Sequence, residues 1–257
     1  RSMTTKEIAE KLNENKWYRK ADGSLITPYQ IYGRAKGYPE LFYCEGSTIS
    51  LKGSTTRKIA FERTSKQHVR ISQNTVKDSV LVEKMLMNKQ NFKSAKDVDG
   101  FVPQASGLYC IRIKNVHLLP EPFGTILLER GHDILYIGIA SENLYNRFLN
   151  QELRAKGHGT FFRSMGAVLG YKPPKGSLIE KRNKKNYKFS KTDELKIIGW
   201  INENLMVNWV ESAGDLDSLE TSLIVKYLPL LNLSKNPAAL QILSYLRKEC
   251  VEIANRN

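Results

Sequence analysis

Gly107-Leu108-Tyr109-Cys110-Ile111-Arg112-Ile113 and, after a break, Ile134-Leu135-Tyr136-Ile137-Gly138-Ile139 are the stretches whose reading decides the fold. Each is a short apolar run rich in β-branched and aromatic residues, the pattern of a strand. Ser141 then opens a helix that carries Leu144, Tyr145, Phe148, Leu149 and Leu153 on one side. Strand, strand, helix predicts an α+β fold with a small antiparallel sheet and flanking helices. On that helix Arg147 lies at the border of the apolar stripe, about 60° from Leu144 at 100° per residue. An arginine there either snorkels at the surface or reaches past the helix to an anion beside the sheet, and the spacing leaves both open.

Downstream, Asp215 to Leu228 reads as a helix with Leu216, Leu219, Leu223, Ile224 and Tyr227 on one face. With Leu216 at zero, Glu220 falls at about 40°, inside the apolar arc. A carboxylate facing a core is costly unless a cation or strong donors meet it. A metal ion and a buried ion pair with arginine both answer that need. A last helix starts at Asn236-Pro237, carries Leu240, Leu243, Leu246 and Cys250, and reads as packing without chemistry.

Upstream, residues 3–51 read as a small helical unit closed by a hairpin. Thr4 and Glu7 make a capping box ahead of the Ile8/Leu12 stripe, and Thr27-Pro28 starts a second helix that Tyr38-Pro39 ends. Phe42 to Glu45, Gly46-Ser47 and Thr48 to Leu51 read as strand, turn, strand, so the unit has the outline of a winged helix. Arg34 and Lys36, at the end of the second helix, are its candidate DNA contacts. Residues 52–100 are assigned to a connector: 52–80 is polar and aperiodic, and Val80 to Phe92 is a short helix with Leu81, Met85 and Leu86 on one face.

The charge bears on partners. Forty basic residues against 26 acidic ones leave +14, the balance of a protein that meets a polyanion. Residues 172–191 concentrate it: Lys172, Lys175, Lys181, Arg182, Lys184, Lys185, Lys188 and Lys191 face a single acid, Glu180. Interleaved Tyr187 and Phe189 suggest a loop that follows a phosphate backbone while its rings contact sugars or bases. The other reading is a solvated surface. Three distant cysteines and four scattered histidines suit a reduced compartment without a structural metal, no apolar run reaches the roughly 18 residues of a bilayer span, and no leader is visible, so a cytoplasmic location is expected.

Several of these elements together resemble the GIY-YIG nuclease superfamily. Gly107-Leu108-Tyr109 occupies the first motif and Tyr136-Ile137-Gly138 the second; Asn143-Leu144-Tyr145-Asn146-Arg147-Phe148 is similar to the arginine helix. Leu219-Glu220 and Pro229-Leu230-Leu231-Asn232 are similar to the metal-ligand helix and the closing asparagine. Five ordered elements over about 125 residues carry more weight than either tripeptide alone. Gly159 to Ala167 also looks like one bacterial, restriction-type branch.

The resemblance implies that Tyr109 aligns or deprotonates the attacking water, that Tyr136 hydrogen-bonds in the same volume, and that Arg147 holds the non-bridging phosphate oxygens. It further implies that Glu220 binds one Mg²⁺ or Mn²⁺, that Asn232 fixes the backbone or assists at the phosphate, and that Gly107 and Gly138 let DNA approach the sheet. Ile139 stands where many members have lysine. Gln151 stands where some have a histidine one turn after the arginine, so His158 is a candidate substitute.

The run through Thr5 to Ala9, Trp17 to Lys20, Thr27 to Tyr32 and Tyr38 to Phe42 resembles the HARE-HTH family, which implies DNA binding with a possible sensitivity to base modification. The expected function is a restriction-type endonuclease of double-stranded DNA, and a dimer would suit a palindromic target. The alternatives are a repair or mobile-element nuclease, or a DNA-binding regulator whose nuclease domain is idle.

Overall fold

The computed structural model describes residues 2–15, 25–36, 38, 41–45, 47–51 and 79–256, which fall in two compact units, Arg1–Ser65 and Lys66–Asn257. In the first unit, strand β1 (Met3–Thr4) leads into α1 (Thr5–Glu14), followed by α2 (Pro28–Lys36) and the hairpin β2 (Phe42–Glu45) and β3 (Thr48–Leu51). The capping box forms, with the Thr4 amide donating to Glu7 at 2.7 Å and the Glu7 amide donating to Thr4 Oγ1 at 3.2 Å. Gln30 plays the same part for Thr27 at the start of α2. The sheet order is β1-β3-β2, all antiparallel, and β1 is a strand the sequence pattern misses because it is two residues long. Ala9, Ile26, Ile31, Ala35 and Ile49 form the small core. Arg34 is exposed on α2; the side chain of Lys36 lies outside the described residues, as do Trp17 to Lys20, Pro39, Glu40 and residues 52–78.

The described part of the second unit opens with helix α3 (79–87). Its buried contacts come from Val82 and Leu86, while Leu81 and Met85 are exposed, so the expected face is corrected by about one residue. Residues 79–100, assigned above to the connector, pack with this unit: β4 (Lys93–Ser94) pairs with β7 (Leu205–Glu211). The Asn208 amide of β7 donates to the carbonyls of Met85 and Leu86 at 2.9 and 2.8 Å, closing the end of α3. The four-stranded antiparallel sheet runs β4-β7-β5-β6, with β5 (Gly107–Ile113) in the centre and β6 (Ile134–Ala140) outside it.

Strand alternation splits the sheet into two faces. Leu108, Cys110, Ile137 and Val210 point to the α3 side, where they meet Leu86 together with Leu216, Leu223 and Ile224 of α7 (Leu216–Tyr227). Tyr109, Ile111 and Tyr136 point to the other side, with Trp209 packed against them and Phe148, Phe161 and Phe162 beyond. The free edge of β6 is covered: the amides of Leu230 and Leu231 donate to Ile134 and Leu135 carbonyls at 3.2 and 2.8 Å.

Around the tyrosine face lie α4 (Phe123–Glu129), a π-helix (Tyr145–Leu153), α5 (Thr160–Val168), α6 (Lys191–Asn204) and α8 (Gln241–Asn255). The arginine helix is therefore wound as π, where an α-helix is expected. Asn143, and not Ser141, caps its entry by accepting from the Asn146 amide at 3.0 Å. The last helix begins at Gln241, because Asn236 uses its side chain to close a turn on Pro229, Asn232 and Ala238.

Candidate active site

Tyr109 stands opposite Gly138 and Tyr136 opposite Ile111, so the two tyrosines are diagonal neighbours on one face, with ring centroids 6.2 Å apart. A Cβ on Gly138 would fall 2.5 Å from the Tyr109 hydroxyl oxygen and 2.9 Å from Tyr136 Cε1. A Cβ on Gly107 would fall 2.3 Å from the Val210 carbonyl. The expectation that these glycines open the sheet to DNA is thus corrected: the protein's own atoms fill the space, and Gly138 exists so that the tyrosine rings can lie over β6. Phe148 stacks on Tyr109 from the π-helix at 4.7 Å. Tyr109 is closed to solvent and Tyr136 nearly so.

The π winding aligns residue i with i+5, and this brings Arg147 onto Glu152. Arg147 Nη2 lies 3.1 Å from Glu152 Oε1, and its Nη1 donates to Gln151 at 3.0 Å. Glu152 has no exposed side-chain surface. The Tyr109 hydroxyl donates to it at 3.4 Å, and the amides of Thr160 and Phe162, at the start of α5, donate at 3.2 Å each. A Cβ on Gly159 would collide with this carboxylate, so glycine there lets Glu152 reach the helix end. Burial pushes the Glu152 carboxyl above the usual carboxylate range, against the opposing pull of Arg147 and the amides. Burial, and then the charge of Glu152, pushes the Tyr109 phenol well above its ordinary value, and burial does the same to Tyr136.

Glu220 sits on α7 with most of its side chain covered. Its Oε2 accepts from Lys235 Nζ at 2.7 Å, and Lys235 also holds Asp217. The buried pair is thus with lysine. Glu220 raises the proton affinity of both tyrosines, so its charge is felt in their volume. No group of three or more His, Cys, Asp or Glu side chains that could hold a metal occurs among the described residues. The donor set that does exist is one partly covered carboxylate whose Oε1 accepts from no described residue. That fits a hard divalent cation, which takes one or two carboxylates and completes its shell with water and substrate phosphate.

Asn232 is a clamp on β6: the Ile137 amide donates to its Oδ1 at 3.0 Å, and its Nδ2 donates to the Ile137 carbonyl at 2.8 Å. This fixes the strand between Tyr136 and Gly138. His158 goes elsewhere. It is buried against Phe162 and Phe189, and the Phe189 amide donates to its Nε2 at 3.3 Å. Burial pushes its pKa down to about 4, so at neutral pH the ring is neutral and the 3.5 Å approach of Glu194 is no ion pair.

In the basic segment, Lys181, Arg182, Lys185 and Lys188 are exposed and enter no ion pair among the described residues. Lys184 donates to the carbonyls of Leu178 and Ile179, and Lys172 and Lys191 pair with Glu249 and Glu194. A cleft of about 430 Å³ is lined by Lys181, Arg182, Asn183 and Lys188. Tyr187 and Phe189 are corrected: both are core residues at 0% and 4% exposure, and they pin the loop inward instead of meeting nucleotides. Sequence reasoning missed Glu152 and Lys235. Glu152 carried one signal, a charge between Leu149 and Leu153 in an apolar helix; Lys235 carried none.

The family model of the GIY-YIG catalytic domain matches residues 107–249, more than half of the chain. The chain belongs to this family, and it is a DNA endonuclease. Nucleases of the family generally depend on a divalent metal ion. No curated protein and no solved structure matches the chain. No helix among the described residues is long and apolar enough to cross a membrane.

Proposed function

We propose that the chain is a restriction-type endonuclease that cuts double-stranded DNA with one Mg²⁺ or Mn²⁺ per site, using Tyr109, Tyr136, Arg147 and Glu220. The observation that carries this reading is the convergence of two tyrosines and the Arg147–Glu152 pair on one sheet face, within the field of Glu220. A phenol with raised proton affinity is not a free base at neutral pH. Tyr109 can take a proton from water only as it gives its own to Glu152, which its hydroxyl already faces. Arg147, partly exposed, offers its guanidinium to the non-bridging oxygens as charge builds on phosphorus. A divalent ion at Glu220 Oε1 would stabilise the leaving 3′ oxygen. Tyr136, held in place through the Asn232 clamp, hydrogen-bonds in the same volume. The N-terminal unit, on its likeness to HARE-HTH modules, adds affinity or site choice, and the exposed lysines of 181–188 follow the backbone.

Supercoiled plasmid cutting in Mg²⁺, with a chelator control, tests the reading. Glu220→Ala abolishes cleavage while DNA binding persists, and Arg147→Ala falls by about 100-fold or more in rate. Near-normal cutting by Glu220→Ala would remove the assignment.

A further inference from the structure

Arg163 stands against the rule that buried charges are paired. It projects from α5 with 9% exposure, its Nε is buried without an acceptor, and no hydrogen bond or ion pair among the described residues engages its guanidinium. Arg247 arrives from α8 beside it. One of its terminal nitrogens donates to the Thr160 carbonyl at 3.2 Å and to Ser164 Oγ at 2.7 Å, yet its Nε is likewise buried and unpartnered. The two guanidiniums share one ring, Tyr187, at 6.0 and 5.8 Å from its centroid. Burial, and then the like charge of Arg247, pushes the Arg163 pKa down.

The carboxylate that acts on Arg163 is Glu152, and it is already taken by Arg147, Tyr109 and two α5 amides. Arg147, Arg163 and Arg247 against Glu152 leave an excess of two positive charges around a carboxylate and a guanidinium that are both buried. That excess is unfavourable in the free protein and is relieved by an anion. The pair adjoins the reaction centre: Arg247 donates to the carbonyl of Thr160, whose amide donates to Glu152, and the charge of Arg163 is felt at Glu152.

We propose that Arg163 and Arg247 form a second phosphate subsite, which holds a DNA backbone phosphate beside the one under attack at Arg147. The inference rests on the reading of Tyr109 and Arg147 as the reaction centre. Tyr187 acts as the plate that keeps both guanidiniums facing the same anion, which explains why an aromatic from the basic loop is buried here. Lysine would not serve in its place, because the planar fork both stacks on the ring and offers paired N–H groups to phosphate. Anchoring a neighbouring phosphate fixes the strand for in-line attack, so the subsite contributes to affinity and to turnover.

The test uses the full chain with Arg163→Gln and Arg247→Gln. Each variant weakens binding of a DNA duplex by about tenfold and lowers the salt slope by about one phosphate contact. The melting temperature of Arg163→Gln stays level or rises, because the lost charge has no hydrogen-bond or ion-pair partner among the described residues and its burial outweighs the pull of Tyr187 and Glu152. Inorganic phosphate raises the wild-type melting temperature above chloride at matched ionic strength, and each variant loses most of that rise. Wild-type affinity and salt slope in Arg163→Gln would overturn the subsite. Should Arg163→Gln fail to fold, the phosphate effect decides: a wild-type melting temperature no higher in phosphate than in chloride overturns it equally. If Tyr109→Phe and Arg147→Ala are inactive while both glutamine variants bind and cut normally, only this inference falls. If Tyr109→Phe cuts normally, the reaction centre itself is misassigned.

Discussion

The lysine segment 172–191 and the arginine cluster around Glu152 handle positive charge in opposite ways. The segment keeps Lys181, Arg182, Lys185 and Lys188 in water, where solvent screens them and no geometry is fixed. The cluster buries Arg163, half-buries Arg247 and pins Arg147 to a carboxylate that has no exposed surface. Exposed cations attract any polyanion and contribute through counterion release, in proportion to their number. Buried ones are preorganised, cost free energy in the empty protein, and contribute only when an anion sits in a defined place. The two regions are therefore expected to separate in their readouts: substitutions in the loop change how much DNA is bound and leave turnover alone, and substitutions in the cluster reach turnover, with a loss of affinity as well where Arg163 or Arg247 is removed.

The sharpest break of that contrast is Glu152→Gln. The amide retains the shape but takes no proton from Tyr109 and no longer neutralises Arg147. The cleavage rate at saturating DNA falls by about 100-fold or more, while duplex affinity stays within a few-fold. A variant that cuts at the wild-type rate removes Glu152 from the proton path.

What the sequence made legible follows the same division. Strand alternation put Tyr109 and Tyr136 on short strands, and the helical wheel put Glu220 in an apolar arc, because each depends only on residues close in sequence. Glu152 stayed hidden for a physical reason: five residues from Arg147 is about 140° around an α-helix, the wrong side, and only the π winding closes that gap. Arg163 and Arg247 are 84 positions apart in sequence and meet through the packing of α5 on α8. Tyr187 and Phe189 looked like nucleotide platforms because their lysine neighbours are solvated, yet a basic loop also needs anchors, and these rings supply them.

The loop arm of the comparison is tested by replacing Lys181, Arg182, Lys184 and Lys185 with alanine. The salt slope of duplex binding falls by up to about 3.5, and affinity drops for all sequences alike. Turnover at saturating DNA is retained. Lys184 differs from the others, since it already serves the Leu178 and Ile179 carbonyls, so restoring it alone recovers stability more than affinity. An unchanged salt slope would return the segment to plain solvated surface.

His158 lies where the loop and the cluster join, and it gives a smaller effect on stability. Its folded pKa of about 4 lies below the ordinary 6.5, so the unfolded chain binds the proton first as pH falls. The contribution is complete above about pH 6.5 and is lost on the way down to about 4, amounting to about 3 kcal/mol at most. Urea unfolding at pH 7 and pH 5 measures it: His158→Gln has the smaller difference between the two. A substitution that leaves the wild-type difference intact would show that other groups carry it.

The smallest effect is expected from the N-terminal unit. Among the described residues it offers Arg34 on α2 and a core of five buried apolar residues, against the basic and catalytic groups in Lys66–Asn257. Removing residues 3–51 leaves every group named in the reaction in place, so metal-dependent cutting continues. Phosphate contacts position a protein without reading sequence, and base contacts or sensitivity to modification must be supplied by another surface. If the N-terminal unit is that surface, its loss weakens binding by a few-fold and shifts the choice of sites, and does so differently on unmodified and cytosine-modified plasmids. Mapping cut positions for the full chain and the deletion on both substrates reads this directly. Identical patterns and rates in all four combinations would assign target choice to the catalytic unit alone, and the lysine cleft would then be the first surface to mutate in search of it.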